Sequence, residues 1–433
     1  MGFRSLSSDG FYGWKNVIVA SIFMFTITIM LQTFSLFLPE WINEYGWKYR
    51  DVSFALTINM VVLAFVTPFS GFFIGKYGSR ICIIIGSSVT IIAIYLLANV
   101  HSLWQLYLAN GVVVAIGVSL GGVLAITTLL NNWFSKKRSL ALSISMMAMG
   151  AAGVIVVPIV TWAIGRIGWR STYTSIIPIY FVFALLVPGI FIKNYPEELG
   201  QVPDGKSPSK PGNIGTDISK GTNSSKVFRT TVDFTVREAF KTRTMWLLLT
   251  FNVLNWFTVG AIMAHGYSFL NDLGIPRTEA GLFIGLISLM MVLGQLFIGF
   301  AGLKHDMLRL VIIGCTASIV SYILMIFADI SLIIVYTYAI FAGIGAGINA
   351  IAMMNLIPNY FGVSNFPRIS GITTPVGTLI GSAGAPICGQ IRDMTGNYFL
   401  FWKIAVILMI IGLVCLLFVK PPKHPSLIEN INN

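Results

Sequence analysis

Charged residues make up only 10% of this 433-residue sequence, and all sixteen Asp and Glu sit in tails, presumptive loops or helix ends. A water-soluble chain carries roughly a quarter charged residues. The deficit runs the whole length of the sequence, which excludes an ordinary soluble enzyme. Cysteine is scarce too. Cys82, Cys315, Cys388 and Cys415 fall in or at the edge of apolar runs and lack metal-ligand spacing, which argues for packing rather than disulfides or a metal centre. There is no P-loop, no metal-binding helix motif and no Ser/His/Asp arrangement. The acidic or Ser–His pairs that intramembrane proteolysis needs are also missing. The chain reads as a non-enzyme with no cofactor and no metal.

What is present is hydrocarbon. The chain is 56% hydrophobic, with a mean hydropathy of +0.82. A spanning helix needs about twenty apolar residues, and such runs recur at 15–38, 52–74, 81–99, 104–130, 139–164, 172–192, 244–270, 280–302, 309–328, 332–357, 368–391 and 398–420. These runs are continuously apolar and too long for tilted strands with alternating faces, so the fold class is an all-α membrane protein of about twelve crossings. The leader before Trp14 is short and polar, and the first apolar run is long enough to stay as a helix, so no cleaved signal is expected. Most of the 28 Lys and Arg fall on one side of this topology, together with both termini. That asymmetry predicts a multi-pass cell-membrane protein, plasma or bacterial inner, with both ends cytoplasmic. The net charge of +12 reads as a topology signal and an attraction to anionic lipid, not as nucleic-acid binding.

Residues 194–243 break the apolar pattern. KSPSKPGNIGTDISKGTNSSK is rich in Ser, Gly, Pro and Lys and predicts a flexible cytoplasmic linker. It divides the chain into a six-helix bundle over 1–193 and another over 244–433. Such an arrangement places a binding site between the halves near the bilayer midplane. GFFIGKYGSR (71–80) and FAGLKHDMLR (300–309) occupy equivalent places in the two halves.

SGFFIGKYGSR resembles the signature loop of the major facilitator superfamily, with Gly75 where that family has an acidic residue. DGFYGWKNV (9–17) resembles the entry motif of the monocarboxylate transporter branch, and NNWFSKKRSLALSISMMAMGAAG (131–153) resembles that branch's motif between helices four and five. FLPEWINEYGWKYRDVS (37–53) and PEELGQVPDG (196–205) are similar to bacterial oxalate/formate antiporter-like members. The resemblance covers the whole chain. It implies a major facilitator fold and a secondary transporter of small organic acids working by alternating access, as antiporter or symporter. A multidrug-type exporter of neutral or lipophilic compounds on the same fold is the alternative. Implied partners are a small-molecule substrate with a coupling proton or an exchanged anion, and the lipid bilayer. A monomer is expected. A channel and a non-transporting sensor are weaker alternatives. Lys76, Arg80, Lys136 and Arg138 become gating-loop candidates, while Gly75 removes the family's gating salt bridge.

No Lys, Arg, Asp or Glu lies mid-span, so the cavity is expected to be neutral. Amides and hydroxyls remain. Thr28, Gln32 and Ser35 share one face of helix one. Asn252, Asn255, Thr258 and His265 share a broad face of helix seven. Asn349 and Asn355 lie in helix ten, and Thr374, Thr378 and Ser382 stack along helix eleven. Since the superfamily lines its cavity with helices one, four, seven and ten, Gln32, Asn255 and Asn349 are substrate-binding candidates, with Thr374 beside them. Gln295 stands in helix eight, where the related transporters place an arginine for the substrate carboxylate. An amide offers no charged fork, so Gln295 either binds a weak acid or neutral compound, or ties helices together. Proton-coupling candidates are His265, Glu40 and Asp51. The pairs Gly117/Gly121, Gly281/Gly285, Gly343/Gly347 and Gly377/Gly381 each mark one helix face that permits close backbone approach, for rocking or for static packing.

Overall fold

The computed structural model describes residues 10–205, 228–230, 232–275, 277–422 and 424; a few helical side chains, those of Gln32 and Ser35 among them, also fall outside the described set. The chain folds as two groups of six membrane-crossing helices. The first group begins with Gly13–Tyr45, Tyr49–Tyr77 and Ser79–Ala98. Its fourth crossing, Leu103–Trp133, loosens into a π-helical stretch at Tyr107–Val114 and breaks at Gly122. The fifth and sixth crossings run almost without a loop through Arg138–Tyr180, turning at Gly168 (φ +77°), and the sixth ends in Val187–Phe191. That turn needs a left-handed residue, and glycine takes it without a Cβ clash. The second group comprises Arg243–Asp272, Arg277–Ala301, Met307–Ile326, Leu332–Phe361, a divided eleventh crossing (Phe366–Gly381 and Gly384–Thr395) and Phe399–Phe418.

Among the described residues, nine stretches are long and apolar enough to span as single windows. The fifth crossing meets the eighth, and the eleventh meets the second, across the boundary between the groups. Phe65, Phe69, Ile159, Trp162, Ile333 and Leu417 point outward as the lipid-facing belt.

The expected linker is docked at both ends. Tyr12 donates its backbone N–H to Gln201 Oε1 (3.0 Å), and Gln201 donates back to the Gly10 carbonyl (2.8 Å). Asp204 accepts from the backbone N–H groups of Ser135, Lys136 and Lys137, a carboxylate set at the positive start of the fifth helix. Phe234 is fully buried ahead of the short helix Val236–Lys241. The Ser/Gly/Lys-rich core of the segment, 206–227, lies outside the described residues. The motifs at 10–17, 131–138 and 196–204 therefore meet at one place, where Phe11, Trp14, Trp133 and Phe134 also pack their rings.

The glycine pairs act mainly inside the bundles. Gly117 and Gly121 admit the third helix at Thr90, Ile83 and Gly86. Gly343 and Gly347 admit the eighth at Ile287 and Met291, and Gly377 and Gly381 admit the seventh at Asn252 and Trp256. Gly285 has nothing within 4 Å, and the side of Gly281 lies outside the described residues. The other three pairs serve packing inside a bundle. The close approaches between bundles use other glycines, Gly71, Gly371, Gly150 and Gly299.

Candidate functional site

A cavity of about 260 Å³ lies between the bundles. Asn252, Asn255 and Trp256 reach it from the seventh helix, Asn349 and Met353 from the tenth, and Ser370, Thr373 and Thr374 from the eleventh. Thr67 and Thr127 close the opposite wall, and among the described residues no charged one lines it. Asn349 Nδ2 donates to Asn255 Oδ1 (3.2 Å) and weakly to Ser318 Oγ (3.5 Å). Asn349 Oδ1, Ser370 Oγ and Thr373 Oγ1 are buried with no protein partner. Glycines make the room: a methyl at Gly314 would overlap Asn349 Oδ1, and one at Gly377 would overlap the Asn252 amide. The result is an apolar chamber with a few convergent, neutral hydrogen-bonding groups, which suits a small amphipathic ligand.

Of the sequence candidates, Asn255, Asn349 and Thr374 line this cavity, and Gln295 does not. Gln295 is 7% exposed, and its Oε1 lacks a protein partner. It sits between Val292, which meets Gly150, and Gly299, which meets Ser143, so its face of the eighth helix is the one turned to the fifth. The position that the family resemblance offered to the pocket, with a tie between helices as the alternative, lies in this conformation on the seam beside it. Thr28 donates to the Met24 carbonyl within its own helix. His265 Nε2 lies 2.9 Å from the Ala385 carbonyl and Nδ1 lies 3.3 Å from the Tyr398 hydroxyl. A carbonyl only accepts, so Nε2 carries a proton there and the imidazole ties helices within the second bundle. Glu40 and Asp51 are also absent from the cavity lining, and the Asp51 carbonyl takes the Tyr107 hydroxyl (2.9 Å). Sequence reading passed over Trp256, Thr67 and Thr127. Only Trp256 carried a usable signal, an amphipathic ring next to Asn255.

The end of the molecule that carries residues 193–205 and 232–243 is closed, and we term it the linker end. A methyl at Gly71 would overlap the Pro367 carbonyl oxygen, and one at Gly371 would meet Gly71 Cα at 3.2 Å. Arg138 donates from Nη1 to Asn359 Oδ1 of the other bundle (2.9 Å) and from Nε to the Phe134 carbonyl (3.1 Å). Among the gating-loop candidates, Arg138 makes the crossing bond. Arg80 stays in its own bundle, on the Gly189 carbonyl and Asn194. Lys76 lies over the Tyr77 ring, and the backbone of Lys136 serves Asp204. Where the family's acid would stand, a Cβ at Gly75 would lie 3.4 Å from Arg368 Nε, and Arg368 lies over the Phe72 ring instead.

This architecture is that of a membrane carrier. A sequence model of the Major Facilitator Superfamily matches residues 18–386 and 245–431, and the chain belongs to that superfamily. It is 22% identical over 414 residues to monocarboxylate transporter 13 of Bos taurus, covering 95% of this chain and 90% of that one. It is 23% identical over 425 residues to monocarboxylate transporter 1 of Homo sapiens, covering 94% and 84%. The structure of the proton:xylose symporter XylE bound to 6-bromo-6-deoxy-D-glucose superimposes with a TM-score of 0.71 at 10% identity, covering 94% of this chain and 96% of that one. The chain is thus a multi-pass membrane transporter of small molecules, not an enzyme.

Proposed function

We propose that the protein is a secondary transporter of small organic acids of the monocarboxylate class. The bundles 1–193 and 244–433, joined by residues 194–243, rock about the cavity as a monomer. The observation that carries this reading is the neutral chamber built around the Asn255–Asn349 pair, with Thr374 and the free hydroxyls of Ser370 and Thr373 beside it. Amides and hydroxyls hydrogen-bond a carboxyl group, and the surrounding Met and Val side chains receive a short hydrocarbon tail. The similarity to monocarboxylate transporters over more than nine-tenths of the chain supports the same class. The excess of Lys and Arg on the linker end supports a cytoplasmic position for that end and both termini, so the conformation described is closed to the cytoplasm. Coupling to a proton or an exchanged anion completes the reading.

The test is competitive uptake of labelled monocarboxylates into proteoliposomes. Saturable uptake that several short acids inhibit, and that Asn255→Ala weakens, is the expected result. If no carboxylate is carried or competes, the organic-acid reading fails. Trp256, Met353 and Met354 in the lining favour a second reading, transport of neutral amphipathic compounds, which the same assay detects when only uncharged competitors act.

A further inference from the structure

A second cavity, of about 540 Å³, opens at the linker end on the other side of the closed gate. Phe366 and Ser370 line the first cavity while Pro367 lines the second, so the start of the eleventh helix separates them. Thr128, Asn131, Asn132, Ser135 and Arg138 come to it from the first bundle, and Val363, Ser364 and Pro367 from the second. Asn131 is 3% exposed, and neither its Nδ2 nor its Oδ1 has a protein partner. Leaving such a group unpaired carries its desolvation cost without return, so packing alone does not account for an amide here. Arg138, 4% exposed, commits Nε and one Nη1 bond, and a guanidinium carries five N–H donors.

The charges around this cavity favour an anion. Burial first, and then the positive charge of nearby Arg229, disfavour the charged form of Arg138, and Nε of Arg229 is itself buried without a partner. Arg368, whose Nε lies beside Gly75 of the lining, adds positive charge. Against them stand Asp204, already bonded to three backbone N–H groups, Asp233, which accepts from Val363 N–H and the Ser364 hydroxyl, and the exposed Glu197 on the rim.

We infer that this linker-end cavity binds a small oxyanion, a carboxylate or phosphate group, through Arg138 and the amides of Asn131 and Asn132, and that the bound anion holds the gate shut. The three polar groups belong to the first bundle, while Val363, Ser364 and Pro367 of the second close the cavity over them; parting the bundles opens that wall to water, so an anion held there stabilises the closed state by its differential affinity. The site is separate from the transport cavity and does not depend on which substrate is carried.

Thermal melting of the purified full-length protein in phosphate against chloride, at matched ionic strength, tests it. A saturable phosphate-dependent rise is expected in the wild type and in Asn349→Ala, whose change lies in the other cavity. Asn131→Asp, which keeps the shape and adds a repelling carboxylate, should weaken apparent phosphate affinity by about tenfold or more. Asn131→Leu should do the same if the Asp variant fails to fold. Nanodiscs distinguish the source: protection by free phosphate in zwitterionic lipid marks a soluble anion, and protection only by anionic lipid marks a headgroup. An equal rise in chloride, no saturable rise in either setting, or an unchanged rise in both Asn131 variants would overturn the inference.

Discussion

Replacing Gly71 with alanine tests the gate at its tightest point. The added methyl would overlap the Pro367 carbonyl oxygen and lie 3.1 Å from both the Pro367 carbonyl carbon and Gly371 Cα. All three are backbone atoms of the eleventh helix, so no side-chain rotation relieves the clash. Overpacking of this kind costs about 1–3 kcal/mol, and here the cost exists only while the second and eleventh helices touch. Gly71 also lies inside a helix, where alanine is better than glycine by about 0.8–1.0 kcal/mol in every conformation. The substitution should therefore leave folding intact while moving the closed–open balance by roughly 5- to 150-fold toward opening.

Distances between spin labels at Lys76→Cys and Lys304→Cys, both exposed at the linker end, read that balance once the native cysteines are replaced. Gly71→Ala should enlarge the long-distance population at a near-normal melting temperature. Gly371→Ala, whose methyl would meet Gly71 Cα and the Thr67 carbonyl oxygen at 3.2 Å, should do so less. An unchanged distance distribution, or collapse of the folded yield, would refute the gate as described.

Other consequences follow from the same contacts. Gly75→Asp places a carboxylate near Arg368 and restores the family's ion pair, so it should favour the closed state by about 0.2–1 kcal/mol, read by the same labels and weakened by added salt. Gln295→Met removes an unpaired buried amide at similar length, so the melting temperature should hold or rise while substrate affinity stays near normal; a large affinity loss in uptake would return Gln295 to the binding site. Bonds from Arg170 and then Trp169 hold the Glu44 carboxyl below its ordinary pKa. A depressed folded-state pKa gives stability that is present above the unfolded value and lost as pH falls through the folded one. Glu44→Gln should therefore melt earlier than the wild type at neutral pH, and the gap should shrink below about pH 4; a gap constant with pH would show that the pair contributes nothing.

The fold was legible because a bilayer leaves so few options. A run of twenty apolar residues is a helix, and a basic loop marks one side. The cavity was half legible. Asn255 and Asn349 stood out as amides inside spans, and they meet each other. Gln295 stood out as an amide and by its resemblance to a substrate-binding position but lies on the seam, because a resemblance gives a place in one helix and not which neighbour its side chain meets. The glycine pairs left rocking and static packing both open: spacing identifies a smooth face, and only tertiary register shows that three of them pack inside a bundle. Asn131 was hidden in plain sight within NNWFSKKR, where the basic residues drew attention away from the buried amide.

The neutrality of the cavity has a kinetic consequence. With no carboxylate, imidazole or ammonium among its lining residues and His265 bonded elsewhere, the proton that accompanies an organic acid has no protein group there to ride on. If the proposed substrate class is right, the acid itself carries that proton, and the amides of Asn255 and Asn349 bind the uncharged carboxyl group. Uptake at fixed total acid should then fall about tenfold per pH unit above the substrate's own pKa. Two acids whose pKa values differ by one unit should give profiles displaced by one unit. A shared midpoint for both acids would mean that a protein group titrates instead. Glu40 and Asp51 at the outer helix ends would then be the first positions to neutralise.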